Sequence, residues 1–158
     1  MEKNGFDAKL TELNIALDLA IEKEKEAIEF YNKLSKRVKN KDLQPQLKKI
    51  ISEEEKHLRQ LKNIDVEIFS KKSVEPAKGL NIVEFIEKKK PSPGMNWKDI
   101  ISIAMHREKD AMKLYKDLAD ITLNPKIKQI FSNLSAEESK HLNYFEKIWN
   151  EYILDWNW

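Results

Sequence analysis

The chain reads as an all-α protein, a bundle of four helices arranged as two helical hairpins joined by a long crossover segment. Three observations predict this. The composition is dominated by Leu, Ile, Lys and Glu, with 35% charged and 41% apolar residues and three glycines in 158 positions, which favours helix and leaves enough apolar side chain to fold. Apolar residues recur at alternating spacings of three and four along four segments, the pattern of a helix with one inward stripe. Finally, the second pair of segments repeats the first at a constant offset of 84 residues.

Helix one is expected over about 9–39, on the stripe Leu10, Leu13, Leu17, Ala20, Glu24, Ala27, Tyr31, Leu34 and Val38. The turn "KNKD" leads into a second stripe of Leu43, Leu47, Ile50, Glu54, His57, Leu61 and Ile64, with Asp42 as its expected N-cap and Pro45 accommodated in the first turn. Residues 65–96 lose the pattern and hold two of the three glycines and three of the five prolines, so they read as a linker. Within it "NIVEFIEK" reads as a short helix, because Asn81 and Glu84 have capping-box spacing and Ile82, Phe85 and Ile86 share a side.

Asn96 and Asp99 cap helix three, whose stripe is Trp97, Ile101, Ala104, Glu108, Ala111, Tyr115 and Leu118. Asn124 and Pro125 then form an N-cap with proline at the first helical position, opening the stripe Ile127, Phe131, Leu134, Glu138, His141, Phe145, Ile148 and Tyr152. The expected organisation is one domain over 1–158, with hairpin repeats at 9–64 and 97–152 around the linker. Trp149 should pack as part of helix four, leaving Trp156 and Trp158 to cover a bundle end or a partner.

Charge and cysteine usage narrow the function classes. A formal charge of +2, with lysines alternating with glutamates, offers no basic stripe for nucleic acid or an anionic membrane. Without cysteine there is no disulfide, no Cys-ligated zinc and no iron–sulfur or rubredoxin-type cluster in this chain, so any electron donor has to be a separate molecule. "MEKNGFDAKL" lacks the apolar core of a secretion signal, and no apolar run reaches the roughly 20 residues of a membrane span, so a cytoplasmic location is expected.

The chemistry lies in charged residues on apolar stripes. Glu24, Glu54, Glu108 and Glu138 occupy stripe positions flanked by Ala, Leu, Ile or Tyr, and should point into the bundle. An isolated buried carboxylate costs several kcal/mol, and four together add mutual repulsion, so something positive has to lie between them. His57 and His141 share those stripes, but two imidazoles cannot supply four positive charges, whereas two divalent cations can. With 18 glutamates in 158 residues, a Glu three positions before a given histidine arises by chance roughly once in nine. The full pattern is far rarer: in "EEEKHL" and "EESKHL" the glutamate three before the histidine follows a stripe glutamate by 30 residues, and that stripe glutamate precedes a stripe tyrosine by seven. Tyr31 and Tyr115 could hydrogen-bond a ligand or limit access to it, or simply fill the core. His106 has Ile103 three positions before it and lies off the stripe, so it reads as exposed or structural rather than as a supporting contact.

One glutamate from each of two helices with Glu-x-x-His from each of the other two is the ligand pattern of ferritin-like di-iron carboxylate bundles. In detail, "IEKEKEAIEFYNKL" with "ISEEEKHLRQL", and "AMHREKDAMKLYKDL" with "LSAEESKHLNYF", resemble the di-iron domain of the rubrerythrin family over about 10–64 and 97–152. The resemblance implies a ferritin-like bundle holding two iron ions, although manganese or zinc suits the same donors. It casts Glu24 and Glu108 as terminal carboxylates, Glu54 and Glu138 as the metal-bridging pair, and His57 and His141 as one nitrogen ligand per metal.

It also implies an oxidoreductase that reduces peroxide or oxygen with electrons from an external donor such as a rubredoxin; a homodimer is among the assemblies it allows. Two departures qualify it. The rubredoxin domain of full-length rubrerythrins is absent, and the additional third-helix glutamate of many members is replaced by Ala111, which shifts weight from peroxide reduction toward oxygen chemistry or iron handling. The alternatives are therefore a ferroxidase or iron-handling protein, and a bundle with a non-redox metal acting as a binding module.

Overall fold

The computed structural model describes residues 3–65 and 94–152, with side chains from residue 14 to residue 151. The expected short helix at 81–88 and the terminal Trp156 and Trp158 lie outside the described residues, as do the side chains of Leu10, Leu13 and Tyr152. The described residues form four helices and no strand: α1 (Lys3–Arg37), α2 (Gln44–Lys62), α3 (Trp97–Ile121) and α4 (Pro125–Tyr152). The ferritin-like four-helix expectation is met. Helix α1 packs on α2 and α3 on α4, with α1 also touching α3 and α2 touching α4.

Caps account for most of the boundaries. The Asn96 side chain accepts the Asp99 N–H at 2.9 Å to open α3, and Asn124 Oδ1 accepts from Lys126 and Ile127 N–H at 3.0 and 3.2 Å to open α4. The expected cap at Asp42 is not formed. Leu43, already near helical at φ −86° and ψ −24°, holds the N-cap position of α2 without a side-chain bond, and the Asp42 N–H is donated to Asn40 Oδ1 at 2.9 Å. The N-cap position thus falls one residue later than expected.

Gln44 closes the other side of the same turn. Its amide nitrogen donates to the Ser35 and Val38 carbonyls, which the end of α1 leaves unpaired, while its carbonyl accepts from Ser35 Oγ. Gln44→Ala should therefore cost about 1–2 kcal/mol, read as a lower urea midpoint with an unchanged slope.

Two contacts fix helix direction. Tyr31 meets Glu108 while Tyr115 meets Glu24, so α1 and α3 run antiparallel; His57 lies against Glu138 and His141 against Glu54, so α2 and α4 do too. The order is up, down, down, up, and α2 ends at the opposite end of the bundle from where α3 begins. Two apolar clusters fill the interior. One gathers Leu17, Leu61, Leu118 and Phe131 towards one end, the other Leu34, Leu47, Ile101 and Phe145 towards the other. Trp149 packs against the second, with the Lys98 ammonium 5.7 Å from its ring centroid. The charged stripe residues lie between these two apolar plugs.

Candidate metal centre

The structure brings all six charged stripe residues together at the middle of the bundle. Glu24, Glu54, Glu108 and Glu138 are no more than 2% exposed, and His57 and His141 are 0% and 3% exposed. Each helix delivers its residues by periodicity alone: the step from Glu54 to His57 and from Glu138 to His141 is nearly one turn, so carboxylate and imidazole emerge on the same face. The rings of His57 and His141 stack 5.9 Å apart, related by the repeat of the two hairpins.

Two overlapping groups of donor atoms result. Glu24, Glu54, His57 and Glu138 form one, and Glu54, Glu108, Glu138 and His141 the other; within each, one atom per residue lies within 4.8 Å of all the rest. Glu54 and Glu138 belong to both. Position 111 adds no donor, since Ala111 packs against the first apolar cluster.

The tyrosines do more than fill space. Both are fully or almost fully buried, and each donates its hydroxyl across the hairpin boundary, Tyr31 to Glu108 Oε1 and Tyr115 to Glu24 Oε1. Each also stacks on a phenylalanine, Tyr31 on Phe145 and Tyr115 on Phe131. With Oε1 of each outer glutamate taken, Oε2 of Glu24 and Oε2 of Glu108 are left buried without a hydrogen-bond partner. Such atoms are expensive to leave unpaired, and a cation in each donor group would satisfy them. This donor set of four carboxylates and two imidazoles fits iron, manganese or zinc.

Without metal, protons can stand in for that charge. Burial, reinforced by Glu54, drives the Glu24 carboxyl well above the usual carboxylate range, and burial with the charges of Glu54 and Glu108 does the same to Glu138. Burial also opposes charge on Glu54, but bonds from Glu24, His141 and His57 outweigh it and hold this group well below that range. For the histidines burial alone would lower the pKa; carboxylate contacts reverse this, raising His57 through Glu54 and Glu137 and His141 through Glu108 and Glu54 to about 11. An imidazolium with both ring nitrogens donating matches the geometry, because His57 Nδ1 lies 3.1 Å from both Glu54 Oε2 and Glu138 Oε1 while its Nε2 bonds Glu137.

Glu137 and Glu53 were not among the residues singled out in the sequence. His141 Nε2 bonds Glu53 Oε2 at 2.6 Å, the mirror image of the His57 to Glu137 contact. A signal was present: both immediately precede a Glu-x-x-His glutamate, at the same offset of 84. Periodicity hides it, because the residue next to a stripe position points about 100° away and is assigned to solvent. His106 is exposed, with Nδ1 against the Ser102 carbonyl at 2.8 Å, and takes no part in the centre.

No described helix is long and apolar enough to cross a membrane. Comparison with curated proteins returns no match. Among solved structures, a hypothetical protein from Pyrococcus furiosus is similar, with a TM-score of 0.70 and 24% identity over 90% of each chain, a likeness of fold. The rubrerythrin family profile matches residues 15–149, which span both hairpins and every residue of the centre. This chain belongs to the rubrerythrin family.

Proposed function

We propose that the protein is a dimetal oxidoreductase of rubrerythrin type, holding two metal ions, iron foremost, and reducing peroxide or oxygen with electrons from a separate donor protein such as a rubredoxin. The observation that carries this reading is the pair of four-residue donor groups sharing Glu54 and Glu138. Glu24 with His57 would hold one ion, Glu108 with His141 would hold the other, and Glu54 and Glu138, which belong to both groups, would be shared between them. Four carboxylates then balance the charge of two divalent cations, and the two orphaned Oε2 atoms find their partner. Bound iron would supply the Fe(II)/Fe(III) change needed to cleave an O–O bond.

The chain's own residues set the conditions for that chemistry. Tyr31 and Tyr115 hold one oxygen of each outer glutamate and leave the other free, which keeps the two carboxylates oriented before any ion arrives. The apolar plugs on either side shield the centre from bulk water. The 158 residues hold no cysteine for an iron–sulfur relay, which supports a separate electron donor.

Anaerobic addition of two Fe(II) per metal-free chain, followed by peroxide or air, tests the proposal. Consumption of one oxidant well above the rate for free Fe(II), with iron retained and re-reduced by an added donor, is the expected result. Fast oxidation followed by iron release would shift the assignment to iron handling. No acceleration with either oxidant would leave a non-redox metal bundle.

A further inference from the structure

The outer nitrogens of the two buried histidines are both claimed by carboxylates, and both claims cross from one hairpin to the other. Glu137, on α4, reaches His57 on α2; Glu53, on α2, reaches His141 on α4. We propose that Glu53 and Glu137 are positioning residues that select Nδ1 as the metal-facing nitrogen of His141 and His57, so that the affinity of each metal position is set by a glutamate of the opposite hairpin. This rests on the dimetal reading above and deepens it.

The geometry gives each histidine two unlike sides. Nδ1 of His57 faces Glu54 and Glu138 at 3.1 Å and Glu24 at 3.8 Å, the three carboxylates of its own donor group. Nδ1 of His141 faces Glu54, Glu138 and Glu108 at 3.0, 3.3 and 3.5 Å, again its own group. On the far side, among the described residues, Nε2 of His57 meets Glu137 and Nε2 of His141 meets Glu53. A neutral imidazole carries a single N–H. When an ion takes the place of the Nδ1 proton, Nε2 keeps its own proton and donates it to the outer glutamate, so the Nδ1 lone pair is turned towards the ion. Without that acceptor the proton is free to move to Nδ1, which would block coordination, or the ring is free to turn.

Local helix geometry explains why these two residues can do this. Adjacent helical residues point about 100° apart, so Glu54 faces the bundle axis while Glu53 faces the neighbouring antiparallel helix α4. The repeat makes the relation reciprocal for Glu137 and Glu138. Their side chains remain about one-third exposed, at 34% for Glu53 and 33% for Glu137, so holding them in place costs far less desolvation than the inner glutamates do.

The test uses Co(II) as the probe ion on the full chain, with calorimetric titration for affinity and proton NMR of the loaded protein for the exchangeable Nε2–H signals. Those signals are assigned with His57→Ala and His141→Ala. Wild type should take up two Co(II) and show two solvent-protected ring N–H signals. Glu137→Ala should weaken one of the two ions about 10–100-fold and lose the His57 signal while keeping that of His141, and Glu53→Ala should do the converse. Glu137→Gln, whose amide oxygen still accepts, should recover part of both effects, and it carries the test if an alanine variant does not fold. Unchanged affinities and signals in the variants would overturn the positioning role while leaving the dimetal reading intact. A loss falling on the histidine of the mutated helix would overturn the crosswise assignment. Failure of wild type to bind two Co(II) would instead remove the dimetal reading, and this inference with it.

Discussion

Glu54→Ala or Glu138→Ala is expected to abolish tight binding of both metal ions, whereas His57→Ala is expected to weaken only one. The asymmetry follows from membership of the two donor groups: Glu54 and Glu138 appear in both, and His57 in one. Removing a shared carboxylate takes a donor from each ion and leaves the pair with one negative charge too few, so two cations face each other with less between them. The loss at each position should exceed the roughly 10–100-fold that follows from losing an outer contact to a ligand. His57→Ala removes one neutral donor and leaves the second group, with Glu108 and His141, complete.

Metal analysis after equilibration with limiting Fe(II) or Mn(II) gives the stoichiometry directly. Near two ions per chain for wild type, near one for His57→Ala and well below one for Glu54→Ala is the expected series. Equal losses in all three variants would show that the shared glutamates do not bridge. His106→Ala, at an exposed position outside the centre, should retain full occupancy.

How much of this centre could be read in the sequence depends on what kind of geometry each residue obeys. The stripe positions of Glu24, Glu54, His57, Glu108, Glu138 and His141 are a property of single helices, and spacing alone was enough to direct them inward. The caps at Asn96 and Asn124 are equally local, since the accepting side chain and the donating amides lie within three residues. What escaped depends on packing between helices. Glu53 and Glu137 look like solvated positions until α2 and α4 are laid antiparallel, and only then does each meet the other's histidine. Gln44 likewise becomes a cap for α1 only once the turn has folded back. The misassigned Asp42 shows the limit of local rules, because the N-cap position falls on Leu43, which has no side-chain acceptor to mark it. The tyrosines fall between: their stripe position was visible, but the two roles considered for them, packing and hydrogen bonding, turn out to be held together by one side chain.

Metal-free and metal-loaded protein should respond to pH in opposite directions between pH 5 and 8. In the bare centre Glu24 and Glu138 have folded-state pKa values raised above the ordinary value of about 4.5, and His57 and His141 are raised above 6.5, His141 to about 11. For every one of these groups the native chain holds a proton that the unfolded chain has begun to give up. Their contribution to stability is complete below the unfolded pKa and is lost as pH rises through the folded one, so metal-free stability should fall across this window. Each extra proton held by the native state costs about 1.4 kcal/mol per pH unit while the difference lasts. Glu54 has the opposite sign, because its lowered pKa gives stability that is lost on acidification, but that loss lies below the ordinary carboxylate value and hardly touches the window.

Bound cations reverse the trend, since they require these same groups without their protons. Metal-loaded protein should therefore gain stability as pH rises from 5 and release its ions on acidification. With free metal a hundredfold above Kd, each site contributes about 2.7 kcal/mol, or roughly 5–10 °C in Tm for a chain of this size. Thermal melts of both forms at intervals across pH 5–8 should give two curves that converge at the acid end and separate steadily towards neutrality. Curves that coincide throughout would mean that these carboxylates neither repel one another nor engage a metal, and the centre would have to be read as an inert part of the core.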